Sequence, residues 1–124
     1  MKPSRRALLA AAVLAPLALR AAAAPSPVEA ARIERLIQFV ESQQQVRFVR
    51  NGNAYSAKEA AQFLRAKYAS MGGNVATAAQ FIDQIAARSS TTGQAYLMRF
   101  PDGRTVPSAT VLAEELARID RDKS

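Results

Sequence analysis

Three short segments of this chain have the composition of a helix start, and they restrict its possible folds more than any other feature. Residues 26–29, 56–59 and 77–80 each begin with Ser or Thr and have Glu or Gln three positions later. In this arrangement the hydroxyl and the longer side chain can satisfy the free amides of a first helical turn. Apolar residues at helical spacing follow each segment. We therefore predict helices over residues 27–44 and 57–71, and a shorter one that ends near Arg88.

The intervals between these helices carry the turn signals of β-hairpins. Asn51-Gly52 separates two strand-like runs, at residues 46–50 and 53–55, and suits the two positive-φ positions of a type I′ turn. Pro-Asp-Gly at residues 101–103 separates a second pair, at residues 95–100 and 104–106. Ser108 can then cap a last helix. The expected fold is a small single α+β domain of about four helices with two short β-hairpins, in which a hairpin, a Ser cap and an amphipathic helix occur twice.

Helical spacing also divides the side chains into a buried and an exposed set. The residues expected in the core are Ile33, Leu36, Ile37, Val40, Ala60, Phe63, Leu64, Tyr68, Met71, Phe81, Ile82, Ile85, Ala86, Val111, Leu112, Leu116 and Ile119. Lys58 and Glu59 in the first turn of the second helix, and Lys67 on its exposed side, are interpreted as surface charge. Glu114 and Arg118 are spaced to pair across one turn of the last helix.

The first 23 residues have the three-part layout of a secretory signal. Residues 1–6 carry three positive charges, residues 7–19 are Ala, Leu and Val apart from Pro16, and residues 21–24 are all Ala. The apolar run is shorter than the roughly 20 residues that a membrane-spanning helix needs, so we expect cleavage rather than retention as an anchor. Ala21 and Ala23 occupy the small-residue positions of a cleavage site, which places the mature domain, residues 24–124, in the periplasm or outside the cell.

Within that signal, Ser4, Arg5 and Arg6 resemble the start of a twin-arginine export motif, because an apolar pair follows the arginines after one residue. Arg20, between the apolar run and the cleavage site, is also more typical of twin-arginine signals. The alternative is an ordinary secretory signal that contains two adjacent arginines.

Composition excludes several kinds of site. The chain has no Cys and no His, so it offers no Cys nucleophile, no His general base, no thiolate or imidazole zinc site and no disulfide. Four of its 17 basic residues lie in the signal segment, which leaves 13 basic against 10 acidic residues, a net charge of +3 instead of +7. This moderate charge, without a recognisable motif, argues against nucleic acid as a partner. We expect no cofactor. We also expect no metal, since Asp120 and Asp122 lack the spacing of a calcium loop.

Five short blocks, taken in order, resemble the YfeK-like family of small exported bacterial proteins. The blocks are FVRNG at residues 48–52, EA at 59–60, LRAK at 64–67, TAAQFID at 77–83 and SSTTGQAY at 89–96. The resemblance extends from Ile33 to about Phe100, and loosely over the last helix. It implies a small exported protein with one domain and no established biochemical activity. Some members have a His before the Leu-Arg pair, where this chain has Phe63, and a Cys in the same helix, so a function that needed either residue would not extend to this chain.

The first functional hypothesis is a non-catalytic binding or interaction module of the bacterial envelope, with an envelope protein or an anionic glycan as its partner. Residues 88–93 are rich in hydroxyls and end in Gly, and such groups can line an anion-binding concavity, with Arg50 or Arg99 close to it. The candidate site residues are Arg50, Asn51, Ser89, Ser90, Thr92 and Gly93. The structural alternative is that the hydroxyls cap the preceding helix and turn the chain, and that Asn51 serves the hairpin turn.

The second hypothesis is an envelope hydrolase. Without His or Cys, its nucleophile would be a Ser or Thr activated by Lys58 or Lys67, or its chemistry would use carboxylates such as Glu59 and Asp83. The chain contains neither a Ser-x-x-Lys motif nor a Gly-x-Ser-x-Gly elbow. The residues therefore favour the binding module, and we predict no catalysis.

Overall fold

The computed structural model describes residues 24–122. The predicted signal segment, with Ser4, Arg5, Arg6, Ala21 and Ala23, lies outside the described residues, so its role in export stays a prediction. In the part that is described, no helix has both the length and the apolar composition to cross a membrane.

Within residues 24–122, four helices and four strands follow one another as helix, hairpin, helix, helix, hairpin, helix. The helices are α1 (Pro27–Ser42), α2 (Ala57–Met71), α3 (Ala78–Phe81) and α4 (Ser108–Asp122), and α3 continues into a π-helical turn at Ile82–Ala86. The strands are β1 (Arg47–Arg50), β2 (Asn53–Tyr55), β3 (Leu97–Arg99) and β4 (Thr105–Pro107). The predicted α+β class is confirmed.

The two hairpins join into one antiparallel sheet with the strand order β2-β1-β3-β4. In the central β1–β3 pair, Phe48 lies opposite Met98, and both side chains are buried. Pro107 ends the edge strand β4, where its missing amide removes no hydrogen bond from the interior of the sheet. Each hairpin leads directly into a 15-residue helix, α2 or α4, as the repeated sequence pattern predicts.

The β1–β2 turn and the Ser or Thr caps of α1, α2 and α3 form as predicted. Asn51 and Gly52 have φ values of 51° and 83°, the positive values that a type I′ turn requires. Ser56 and Glu59 form a complete capping box: the Ser56 hydroxyl accepts from the Glu59 amide at 3.2 Å, and the Glu59 carboxylate accepts from the Ser56 amide at 2.9 Å. The other two segments cap α1 and α3 through their Ser and Thr hydroxyls. Glu29, in the first of them, accepts from the backbone amide at position 78 and so ties α1 to α3.

Two expectations about α2 are wrong. Met71 is 51% exposed, because it is the last residue of the helix and lies beyond the core. Lys67, assigned above to the exposed side, is only 6% exposed. Its burial is possible because Nζ donates to the carbonyl of Arg88 at 2.8 Å and to the hydroxyl of Tyr96 at 2.9 Å.

The start and the outer face of α4 also differ from the expectation. Arg118 does not pair with Glu114; its guanidinium lies 2.6 Å from Glu115 and 2.8 Å from Asp122. The partner three residues away is the buried one, so the pair forms on the side of the helix nearer the core. Ser108 is the first helical residue rather than the cap, and its amide donates to a backbone carbonyl just before β3.

Gly72 follows the last residue of α2, and a larger residue at this position would clash with its neighbours. Its φ is −88°, a value open to any residue. A Cβ at this position would collide with the carbonyl oxygen and the ring of Tyr68. That ring packs edge-on against Phe81, with 5.4 Å between the ring centroids. Glycine therefore allows the chain to leave α2 next to the contact between α2 and α3.

Candidate ligand-binding site

A cleft of about 390 Å³ lies between α2, the β1–β2 hairpin, β3 and the start of α4. Its volume is within the range of small-molecule sites, about 300–1,000 Å³. The buried apolar residues of its lining, here called the apolar floor, are Val40, Phe48, Leu64, Ala86, Met98 and Leu112. The half-buried apolar residues of its walls are Val49, Ala60, Phe63 and Leu97. Four polar residues of the lining are Arg50, Tyr55, Glu59 and Gln62.

The guanidinium of Arg50, at the end of β1, lies against two aromatic rings. Its Cζ is 4.3 Å from the ring centroid of Phe63 and 5.2 Å from that of Tyr55. One terminal nitrogen donates a long hydrogen bond, 3.4 Å, to the Tyr55 hydroxyl. None of the ion pairs found in residues 24–122 includes Arg50. The cation–π contacts thus hold the guanidinium in place without neutralising its charge.

Next to the cleft, Lys67 and Tyr96 form a buried polar pair. The ammonium of Lys67 lies 2.9 Å from the Tyr96 hydroxyl and 4.8 Å from the centroid of the Tyr96 ring. The same ring lines the cleft and packs edge-on against Phe63, with 5.8 Å between centroids. The pKa of Lys67 is lowered, mainly by burial and to a smaller extent by the charges of Arg50 and Arg88. Burial raises the pKa of Tyr96, against the lowering effect of Arg50.

The charges around the cleft are unbalanced. Across the described residues, neither Arg50 nor Lys67 has a carboxylate partner, and Arg88 has a weak, exposed contact with Asp83 at 3.8 Å. Glu59 is the carboxylate of the cleft lining. A backbone hydrogen bond at the α2 cap holds the pKa of the Glu59 carboxyl below its usual range, so it remains ionised at neutral pH. Arg50 and Lys67, the two cations without a carboxylate partner, therefore give this side of the cleft an excess of positive charge.

The structure brings three of the six predicted site residues together. The Thr92 hydroxyl donates to Asn51 Oδ1 at 2.7 Å, and Asn51 Nδ2 donates to Ser89 Oγ at 3.4 Å. Ser89 Oγ also accepts from the backbone amides at positions 91 and 92, at 3.2 and 3.3 Å. These contacts attach the β1–β2 turn to the loop that precedes β3.

The other three predicted residues add no side-chain hydrogen bond to this cluster, although the Gly93 amide donates to the Ser89 carbonyl at 2.9 Å. Ser90 is exposed, and its hydroxyl makes a weak contact with Met71 Sδ at 3.6 Å. Gly93 has a φ of 76° and helps to turn the chain back toward β3. Arg50 belongs to the cleft. The polar atoms of Asn51, Ser89 and Thr92 largely satisfy one another, and a ligand-binding role for this loop stays a prediction.

Sequence reasoning did not single out the Lys67–Tyr96 pair. Lys67 lies three residues after Leu64 and seven after Ala60, so it falls on the apolar stripe of α2, and this spacing is the signal that marks it as buried. Its partner is 29 residues further along the chain. No local pattern links the two positions.

The residues of the hydrolase hypothesis are not assembled by the contacts described. The hydrogen bonds of Lys67 Nζ go to Tyr96 and to a backbone carbonyl, not to a Ser or Thr hydroxyl. Glu59 serves the cap of α2, whereas Asp83 is exposed beside Arg88. In residues 24–122 no three acidic side chains are grouped so that they could hold a metal ion. A hydrolase role therefore stays a prediction from the sequence.

Comparisons with known proteins place the chain in a family. No solved structure matches it. The Uncharacterized protein YfeK of Salmonella typhimurium (strain LT2) is 40% identical over 68 residues, which span 55% of this chain and 57% of that relative. The profile of the Family of unknown function (DUF5329) matches residues 27–120, from the first turn of α1 almost to the end of α4. The chain therefore belongs to the DUF5329 family, which agrees with the YfeK-like pattern of its sequence.

Proposed function

We propose that this protein is a small exported binding module of the bacterial envelope, which takes a ligand with an apolar body in the cleft and carries out no catalysis. The observation that carries the proposal is the cleft itself, an opening of about 390 Å³ with an apolar floor of buried side chains. Transfer of apolar ligand surface from water onto such a floor is favourable by about 25 cal/mol per Å². Glycan or protein partners remain predictions from the sequence, and the apolar floor favours a less polar ligand than a glycan.

Contacts that hold the elements around the cleft in place support this role. The hydrogen bond between Thr92 and Asn51 ties the β1–β2 hairpin to the loop before β3, and the capping box fixes the start of α2. The π-helical turn Ile82–Ala86 ends at Ala86, a residue of the apolar floor. Such turns occur frequently at functional sites. Regular elements held in this way favour a preformed site over one that forms only on binding.

A neutral fluorescent probe, N-phenyl-1-naphthylamine, tests the cleft independently of any charge on the ligand. We expect the purified full chain to bind this probe saturably at one site. Ala60→Phe should abolish the fluorescence increase, because the ring would fill the cleft from its α2 wall. Ala66→Phe is the matched control, since Ala66 is exposed on the same helix and outside the cleft lining, and it should leave binding unchanged.

Two results would contradict the cleft as a site: no saturable binding by the wild type, or equal binding by Ala60→Phe and Ala66→Phe. Circular dichroism and thermal unfolding of each variant separate a blocked cleft from a loss of fold. Leu97→Trp, which adds bulk at the β3 wall, is the second blocking variant and should have the same effect.

Export is the other part of the proposal. Its support is the three-part layout of residues 1–23, with Ser4, Arg5 and Arg6 at its start and Ala21 and Ala23 at its end. The family match begins at residue 27, just after this segment.

Cell fractionation tests the export proposal. A C-terminally tagged chain should appear in the periplasmic fraction with an N-terminus near Ala24. Arg5→Lys combined with Arg6→Lys should retain the precursor in the cytoplasm if export follows the twin-arginine route, whereas unchanged export would identify the general secretory route. A tagged chain that stays unprocessed in the cytoplasm would contradict export.

A further inference from the structure

Arg50, the arginine of the cleft lining, has no ion-pair partner among the described residues, and this indicates which head group the ligand has. The inference rests on the proposed function. A guanidinium has five N–H donors, and the described residues give Arg50 one long side-chain hydrogen bond, 3.4 Å, to Tyr55. The rings of Phe63 and Tyr55 fix its position. A half-buried guanidinium that is already oriented, with free donors beside an apolar floor, suits an anionic acceptor.

Lys67 adds to the positive potential on this side of the cleft. Its two acceptors, the Tyr96 hydroxyl and the Arg88 carbonyl, are both neutral groups. The charges that act on its ammonium belong to Arg50 and Arg88, and both are cationic. Like charges repel more strongly in a partly buried site than in water, and a bound anion would relieve this repulsion.

Glu59 does not neutralise Arg50, although it also lines the cleft. Its carboxylate is turned to the α2 cap, where Oε1 accepts from the Ser56 amide at 2.9 Å. The described part of the chain thus provides Arg50 with no counter-ion, and a ligand can supply one.

We propose that the ligand is a single-chain amphiphile with a carboxylate head, of the fatty-acid type, whose head pairs with Arg50 and whose hydrocarbon chain lies on the apolar floor. The planar fork of a guanidinium matches a carboxylate with two parallel hydrogen bonds. One unpaired arginine in the lining matches one negative charge, whereas a polyanion would leave further charges against apolar side chains, which is unfavourable. The volume of about 390 Å³ is near the lower end of the range for small-molecule sites, so it suits one chain rather than two.

Competition with N-phenyl-1-naphthylamine tests this assignment. Decanoate and 1-decanol have the same chain length, and the alcohol is the more apolar of the two. Stronger binding of decanoate would therefore be due to its carboxylate head group. We expect decanoate to compete about tenfold better than decanol on the full chain, the effect of one charge-assisted pair. Arg50→Gln should remove this preference, and Arg50→Lys should keep part of it. Arg99→Gln is the matched control, because Arg99 is exposed on β3 and does not line the cleft.

The outcomes separate this inference from the proposed function. Equal competition by decanoate and decanol, or a preference that survives Arg50→Gln, would overturn the carboxylate assignment and leave binding of the neutral probe in place. If the wild type does not bind the neutral probe, both proposals fail. Loss of the decanoate preference in Arg50→Gln, with the preference unchanged in Arg99→Gln, is the result that supports the pairing.

Discussion

Among the charged residues in the described part of the chain, Lys67 is the least exposed. It is only 6% exposed, yet its ammonium has neutral acceptors instead of a carboxylate. Burial of a charge without an ion pair is unfavourable, and lysine is therefore seldom a core residue. Its residue type predicts exposure, whereas its spacing from Leu64 predicts burial. The acceptors decide between the two, and they lie 21 and 29 residues further along the chain, where no local pattern reveals them.

Burial of this lysine should make stability depend on pH. The pKa of Lys67 is lowered in the folded chain, while the unfolded chain keeps the ordinary value of 10.5. Between these two values the unfolded state binds the extra proton, so the free energy of unfolding rises with pH. We expect the wild type to gain stability relative to Lys67→Met as the pH is raised from neutrality toward 10.0. This is the ordinary pKa of tyrosine, above which Tyr96 contributes with the opposite sign.

Urea unfolding followed by circular dichroism at several pH values measures this difference. Lys58→Met is the matched control for loss of a lysine, since Lys58 is exposed on the same helix. A difference between wild type and Lys67→Met that stays constant over the range would show that the folded chain does not perturb this group.

For the helices and strands, short-range chemistry determined what could be predicted. The capping box of Ser56 and Glu59 and the type I′ turn at Asn51-Gly52 depend on residues one to three positions apart, and both form as expected. The two hairpins join through the β1–β3 pairing, in which Phe48 lies opposite Met98. These residues are far apart in the chain, so the sequence predicts two hairpins but not one sheet. The π-helical turn Ile82–Ala86 was also missed, because its apolar spacing fits an α-helix equally well.

The end of α2 offers a test of how helices pack here. Gly72→Ala should lower the free energy of unfolding by about 1–3 kcal/mol, because the new methyl group would displace the Tyr68 ring from its contact with Phe81. Gly73→Ala is the matched control, since a Cβ there meets nothing within 4 Å, and it should change stability by less than about 0.5 kcal/mol. Chemical denaturation of both variants measures the difference. Equal effects would mean that contact with Tyr68 does not decide where the helix ends.

In the whole molecule, the cleft is a product of packing. Its lining comes from α1, α2, the π-helical turn, the sheet and α4. The sequence identified Arg50 as a candidate site residue and several floor residues as core, but an apolar residue that contacts a ligand has the same spacing as one that fills a core. The volume left between elements distinguishes the two, and it depends on how all of them pack. The fold class was therefore predictable, and the cavity was not.

Methionine methyl NMR tests most directly whether an apolar ligand reaches the apolar floor. Met98 lies on that floor and is fully buried, whereas Met71 is 51% exposed and does not line the cleft, so each chain carries its own reference. Titration of the protein, labelled with ¹³C at its methionine methyl groups, with N-phenyl-1-naphthylamine should shift the Met98 resonance saturably and leave that of Met71 in place. A Met98 resonance that stays unchanged at saturating probe, or equal shifts of both resonances, would contradict binding in the cleft.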